Sequence, residues 1–323
     1  MAANDRQDMS YAALKVARLY YQQQLTTAAI AQELGTSRAT VSRLLSFASE
    51  TGLVEVRIHD PAAQPQQLES RLQQQFGLKA IQVVPVPPGA SEQQCLQRVA
   101  QQAAAYLNTI VEPQSVLGVA WGTTLAAVAD ALIQKPVREL DVVQLNGSAT
   151  GANFANAFGE SIVSRLAQNY GARSHSFPVP AFFDYAATRE ALWRERSIQA
   201  LRALQERARV LVFSIGAART GSHVHSGDYL DETEFQSLQA DGVVGDIATV
   251  FFRADGSWRD IALNARSSGL ELDRFQRAEH ALCVVSGRGK LAGLRAALRG
   301  GFINELVLDE PTAMLLLEEP GSR

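Results

Sequence analysis

The chain has 323 residues, 46% hydrophobic and 20% charged, with 11 prolines, a profile that excludes a fibrous or disordered protein and leaves room for one small and one larger domain. With 30 Lys and Arg against 33 Asp and Glu, the formal net charge is -3, so no global basic field advertises nucleic acid and any such contact must be local. Cys95 and Cys283 are too few and too far apart for a disulfide framework or a CxxC metal site; this favours a reducing compartment, and both read as buried small hydrophobes.

The N-terminal stretch MAANDRQDMSYAALKVARLYY carries acids and glutamine where a secretory signal needs a basic patch and an unbroken apolar run. No apolar stretch approaches the ~20 residues of a membrane span, so a cytoplasmic protein with no membrane partner is expected. Leu14, Ala17 and Tyr21 recur at helical spacing, and residues 1–58 read as an all-α DNA-binding domain.

Within it, LTTAAIAQELGTSRATVSRLLSFASETGLVEVRI predicts a helix from about Thr27 to Leu34, a turn over Gly35, Thr36 and Ser37, and a second helix beginning near Arg38. Thr26 and Ser37 suit the two helix starts as caps, and Gly35 suits a positive-φ turn. Ile30, Leu34, Val41 and Leu44 close a core. In a helix-turn-helix the second helix enters the major groove, which makes Thr27, Ser37, Arg38, Thr40, Ser42 and Arg43 the candidate DNA-binding set. No acid occurs between Glu33 and Glu50, although basic and acidic residues balance over residues 1–60. The closing TGLVEVRIHD is similar to the wing of winged variants. A three-helix bundle used for protein contacts remains open at this point.

HDPAAQPQQ, residues 59–67, is polar and holds two prolines, which marks a boundary. Beyond it Leu68, Leu72 and Phe76 fall on one helical face before Gly77, so residues 59–78 read as a linker helix able to pair with its own copy. Residues 79–323 form the effector-binding and oligomerisation domain. There AIQVV, VLGVA, DVVQL, RVLVFSIG, ATVFF, ALCVV and ELVL alternate with helical patterns, which predicts an α/β fold with a mostly parallel, doubly wound sheet and ligand sites at the carboxyl ends of its strands.

Two strand-to-helix junctions carry anion chemistry. In GVAWGTTL, residues 118–125, Gly122 permits close backbone approach, and Thr123 and Thr124 add hydroxyls at a helix start; an ordinary turn uses the same residue types. In SGRGK, residues 286–290, Lys290 is placed to close on a phosphate. The GxxxxGK[ST] pattern of a P-loop is absent.

A catalytic set is harder to assemble. His223 and His225, near Asp228, lack a third His or Cys ligand, so no metal and no cofactor is expected. Asp184, Asp246 and Glu160 pair with no recognisable acid or nucleophile. His59, His175 and His280 read as structural or surface histidines. No catalytic residue is expected, and the competing reading is a phosphosugar isomerase or deaminase with an accessory DNA-binding domain.

Taken together, ARLYY, IAQELGTSRATVSRLL, GVAWGTTL, VVQLNG, GVVGDIATVFFRADG, GRGK and GGFINELVLDEPTA make the whole chain resemble the SorC family of sugar-responsive transcriptional regulators, in particular its Bacillus-type deoxyribonucleoside regulator (DeoR) branch. The resemblance implies a C-terminal fold like that of phosphosugar isomerases and deaminases, converted from catalysis to sensing. It implies a repressor of carbohydrate or deoxyribonucleoside catabolic genes, binding double-stranded operator DNA as a homodimer or homotetramer. Carried over by position, Gly122, Thr123, Thr124 and Lys290 form the phosphate cradle, and Asn146, Gly147, Asp184, Asp246, Asn264 and Arg266 line the pocket. Asn146 stands where that branch has a lysine able to form a Schiff base with an aldehyde sugar. Asparagine lacks that chemistry, so reversibly bound pentose, polyol or hexose phosphates are all open as effectors.

Overall fold

Thr26 and Ser37 each accept a hydrogen bond from the backbone N–H three residues on, Ala29 N at 3.2 Å and Thr40 N at 3.1 Å, and so start two helices. The computed structural model describes residues 2–51, 53–54, 63–147, 158–217 and 230–318. The chain divides into two compact units, Met1–Asp60 and Pro61–Arg323.

In the smaller unit α1 (Ala2–Ala17) runs into a π-helical turn (Arg18–Gln22), followed by α2 (Thr27–Glu33) and α3 (Arg38–Glu50). Gly35 turns the chain between α2 and α3 with φ +62°. Val16, Leu19, Ile30, Ala31 and Val41 form the buried centre, with Leu34 and Leu44 packed against it, as the apolar spacing predicts. Most of the expected wing, Glu55–Asp60, lies outside the described residues.

The larger unit opens with α4 (Ala63–Phe76) and β1 (Ala80–Val84), then α5 (Glu92–Ile110), β2 (Val116–Val119), α6 (Thr123–Ala131), β3 (Asp141–Gln144), α7 (Phe158–Tyr170) and β4 (Arg173–His175). It continues with α8 (Ala186–Leu192), α9 (Arg196–Glu206), β5 (Val210–Phe213), β6 (Gly216–Ala217), α10 (Glu232–Ala240), β7 (Val243–Ile247) and β8 (Val250–Arg253). The last elements are α11 (Leu272–Gln276), β9 (His280–Val285), α12 (Leu291–Arg299), β10 (Glu305–Asp309) and α13 (Glu310–Leu317).

Seven strands pair in parallel in the order β1-β10-β9-β5-β2-β3-β4. Both sheet faces are apolar, because parallel strands joined by crossover helices are covered on each side. One face packs β-strand residues Leu117, Val212, Leu282 and Val307 under α5, α6 and α7. The other packs Leu211, Phe213, Cys283 and Leu306 under α4, α11, α12 and α13.

Three expectations are corrected. ATVFF does not join the parallel sheet: β8 pairs antiparallel with β7, and with β6 they form a separate small sheet. Ala248 and Thr249 make its two-residue turn at φ +49° and +68°, the hairpin geometry that suits the sheet's twist but normally falls to Asn-Gly. The helix expected as a linker over residues 59–78 is built into the larger unit, where Leu68 and Leu72 are buried in the sheet's own core, so its apolar stripe is already occupied. Cys95 is half-buried on α5; only Cys283 is fully buried.

His175 and His280 are structural. His175 Nε2 lies 2.7 Å from the Asp141 carboxylate, and His280 Nδ1 lies 2.7 Å from Glu305.

Leu72 is 0% exposed. Leu72→Ala is expected to destabilise the larger unit by about 2–4 kcal/mol in urea denaturation, with Gln74→Ala on the exposed side near neutral. Equal effects would mean that α4 is tethered and not packed.

Candidate functional site

The strand order places a topological switch point between β2 and β5. From β2 the chain runs outward to β3 and β4; from β5, on the other side of β2, it runs through β9 to β10. Connections leaving two neighbouring strands in opposite directions open a crevice beyond their carboxyl ends. Thr124 follows β2, Ser214 follows β5, and Lys290 follows β9.

These three side chains meet. Lys290 Nζ donates to Thr124 Oγ1 and to Ser214 Oγ, each at 2.9 Å, and Ser214 Oγ donates to Thr124 Oγ1 at 3.4 Å. Among the described residues Lys290 forms no ion pair. Burial lowers the pKa of its ammonium, while Cys283 and Asp246 act in the opposite direction. The loop before it is anchored from below, because Gly287, at φ +93°, donates its N–H to Asp309 Oδ2 at 2.9 Å. Asp309 is itself buried and caps α13 through Thr312 N at 2.8 Å. Across the crevice α6 begins at Gly122, whose φ of +147° few other residues adopt, and no side chain caps the helix. Its first-turn N–H groups have no side-chain cap, and Thr124 of that turn holds the ammonium through Oγ1, so a helix start and a cation adjoin, the combination that suits an anion.

Asp246 closes the far side from the small sheet. Burial raises its carboxyl to about 6, partly offset by a hydrogen bond from Thr249 N, at 3.1 Å to Oδ2, and by Lys290. Gly216 is required opposite it: a Cβ there would stand 1.8 Å from Asp246 Oδ1. Cys283 is a neutral filler, since burial pushes its thiol up.

The wall beyond β3 is a chain of hydrogen bonds. Trp121 Nε1 donates to Gly147 O at 2.8 Å, Gly147 N donates to Ser268 Oγ at 2.9 Å, and Ser268 Oγ donates to Ala181 O at 2.9 Å. Asn146 sits inside this wall at 1% exposure, and its Oδ1 has no hydrogen-bond partner among the described residues.

Of the residues expected from sequence, Gly122, Thr124 and Lys290 converge, Thr123 is exposed at the helix start, and Asn146, Gly147 and Asp246 line the surrounding walls. Asp184, Asn264 and Arg266 make their contacts elsewhere. The Asn264 amide is used by the fold, accepting from Phe251 N and donating to Phe251 O and Trp258 O, so it does not serve as free pocket lining. Arg266 pairs with Glu234 and donates to the Asp184 carbonyl. Ser214, Trp121, Ser268 and Asp309 were missed. Ser214 carried a usable signal, a hydroxyl ending the apolar run RVLVF. His223, His225 and Asp228 lie outside the described residues; among the described ones no group of three or more His, Cys, Asp or Glu side chains is placed to hold a metal.

On the smaller unit Arg38, Ser42 and Arg43 are exposed along α3, and neither arginine has an ion-pair partner among the described residues, so the helix presents two free cations. Ser37 and Thr40 are tied to each other, Oγ to Oγ1 at 2.9 Å, while Thr27 is half-buried at the start of α2.

Residues 60–318 match the family model described as "Putative sugar-binding domain". The deoxyribonucleoside regulator of Bacillus subtilis is 32% identical over 308 residues, 95% of this chain and 97% of that protein. The crystal structure of the full-length sorbitol operon regulator SorC from Klebsiella pneumoniae superposes with a TM-score of 0.73 at 27% identity, covering 96% of this chain and 99% of that one. A domain of a "possible sugar-binding transcriptional regulator" from Arthrobacter aurescens TC1 gives 0.74 at 42% identity, over 79% of this chain and 98% of that one.

A carboxyl raised to about 6 is a stability cost: the penalty is absent below the ordinary carboxylate range, grows as pH rises through it, and is complete above 6. Asp246→Asn, which keeps an acceptor for Thr249 N, is therefore expected to stabilise the ligand-free protein at pH 7 by about 1–3 kcal/mol and to lose that advantage by about pH 4. Thermal denaturation across pH 4–8 measures this, and a flat difference would mean that Asp246 is not strained by burial.

Proposed function

The chain belongs to the SorC family of sugar-binding transcriptional regulators, and from that premise we propose that it is a repressor whose effector is a phosphorylated sugar held between Lys290 and the start of α6. One observation carries the proposal: among the described residues the half-buried Lys290 ammonium has no ion-pair partner and is held by two neutral hydroxyls. An unpaired charge away from water is costly, and the phosphate of a sugar ester supplies both the missing counter-charge and acceptors for the N–H groups of α6. Asp246 faces the same crevice and is suited to a sugar hydroxyl. The pocket is then that of a phosphosugar isomerase turned from catalysis to sensing, and its targets are carbohydrate or nucleoside catabolic genes.

In this reading α2 and α3 are a helix-turn-helix, with α3 laid in the major groove of operator DNA and Arg38, Ser42 and Arg43 facing it. Ser37 and Thr40 shape the helix start, and their hydroxyls remain in reach of phosphates. The regulator works in the cytoplasm as a homodimer or homotetramer on a palindromic operator. Effector and operator are linked: a sugar phosphate that binds one arrangement of the oligomer better changes DNA affinity by about 1–3 kcal/mol.

Lys290→Ala is expected to keep operator affinity and to abolish the rise in Tm that a saturating sugar phosphate gives the wild type. A normal thermal response in that variant would remove the phosphate site. Arg43→Ala is expected to do the reverse, weakening operator binding by about 1–2 kcal/mol while the thermal response to effector stays intact. Loss of both properties would point to damage of the fold, and undiminished operator binding would argue against α3 as the reading helix.

A further inference from the structure

Resting on the phosphate site proposed above, we infer that Lys290 is also a modification site: its amine is acylated by small acyl phosphates, and the acylated protein no longer answers a phosphate ligand.

The nitrogen is arranged as a nucleophile. Lys290 Nζ commits two N–H groups, one to Thr124 Oγ1 and one to Ser214 Oγ, each at 2.9 Å. A neutral amine has two N–H groups and a lone pair, so these two hydroxyls satisfy it and leave the lone pair for an electrophile. An ammonium brings a third N–H, for which the described residues supply no acceptor. Burial lowers the pKa of this ammonium and so raises the share of free amine, a recurring route to a nucleophilic lysine. Lys290 is half-buried, which leaves it within reach of a small molecule.

The chain has four lysines, and their surroundings differ. Lys15 is exposed on α1. Lys79 pairs with Glu305 at 3.5 Å and donates to Glu279 O at 3.2 Å. Lys135 donates to Asn108 O and to Val111 O, the latter at 3.3 Å. Among the described residues only Lys290 is held by side-chain hydroxyls, and one of these stands at a helix start.

That helix start selects the acyl donor. In an acyl phosphate a single oxygen joins phosphorus to the carbonyl carbon. Thr124 lies in the first turn of α6 and touches Nζ, so a phosphate seated there lays the adjoining carbonyl beside the amine. The nitrogen lone pair forms the new C–N bond. The C–O bond to the phosphate breaks, its electron pair leaves on the phosphate oxygen, and one amine proton ends on that phosphate. The products are an acyl-lysine and hydrogen phosphate, with nothing oxidised or reduced. An amide nitrogen keeps one N–H and carries no charge, so the acylated side chain loses one hydroxyl contact and the cation, and its acyl group fills the place of the phosphate.

The test treats the full-length protein with acetyl phosphate at neutral pH and follows the four lysines by peptide mass spectrometry. Lys290 is expected to be acetylated at least about tenfold faster than Lys15, Lys79 or Lys135, a small part of what proximity can supply. Excess inorganic phosphate should slow Lys290 alone, and in guanidinium chloride the four lysines should react alike. Protein acetylated at Lys290 should lose the rise in Tm that inorganic phosphate gives the untreated protein. The inference is overturned if Lys290 reacts no faster than Lys15, if its preference survives in denaturant, if phosphate does not slow it, or if the acetylated protein keeps its thermal response. Should inorganic phosphate raise the Tm of untreated protein while Lys290 shows no preference, the inference falls and the phosphate site stands; should phosphate neither raise the Tm nor slow the reaction, both fall.

Discussion

The Lys290 ammonium is the constraint on which the larger unit depends. Lys290 is half-buried and held by two hydroxyl partners, Thr124 and Ser214, that arrive from two other strand ends. The cluster exists only if β9, β5 and β2 lie side by side with their carboxyl ends together, which is the parallel order observed. Parallel neighbours cannot be joined by tight turns; each needs a crossover, and the crossovers bring helices to both faces. The two apolar layers under α5–α7 and under α4, α11, α12 and α13 are thus the framework that holds three strand ends in register. Asp309 extends the same logic one strand further, since its carboxylate ties the Lys290 loop to the start of α13.

Much of this was legible in the sequence, and the reason differs from part to part. The parallel strands announced themselves as short apolar runs, because strands buried on both faces carry no polar alternation. The caps Thr26 and Ser37 and the turn at Gly35 are local chemistry, read within four residues. Gly122 and Lys290 were recognisable because an anion loop has a compact composition. What escaped was decided at long range. β4 is three residues with two of them exposed, so it carries no apolar signature. ATVFF has the composition of a core strand, and only its turn at Ala248 and Thr249 sends it into the small antiparallel sheet. Asn264 looked like a pocket amide, yet Phe251 and Trp258 consume its hydrogen bonds. Residues 59–78 read as a linker because their prolines and glutamines are visible in sequence, whereas the sheet face that Leu68 and Leu72 cover is not.

Among the described residues, three unmet demands lie at neighbouring strand ends: a lysine without an ion pair at Lys290, a carboxyl raised by burial at Asp246, and an acceptor without a donor at Asn146. Each lowers the stability of the empty protein, and a domain has only about 5–15 kcal/mol in all. Natural chains keep such features where function requires them. Their chemistries also complement one another, since a single small molecule with an anion at one end and hydroxyls along its length answers all three.

The walls of that crevice determine what a bound molecule can move. Ser268 joins Gly147 to Ala181, Leu270 bonds Leu145, Phe183 N bonds Arg266 O, and Thr249 Oγ1 meets Ser267 Oγ at 3.1 Å. The segments around residues 145–147, 181–183 and 266–270 and the small-sheet turn are therefore joined by hydrogen bonds, and Trp121, three residues before the Thr124 that holds Lys290, ties them to the Lys290 end of the sheet. A ligand can change an equilibrium only by binding two arrangements unequally. A molecule bound at these strand ends acts on this network as a whole, since residues 145–147 share hydrogen bonds with residues 119–121, 181 and 268–270.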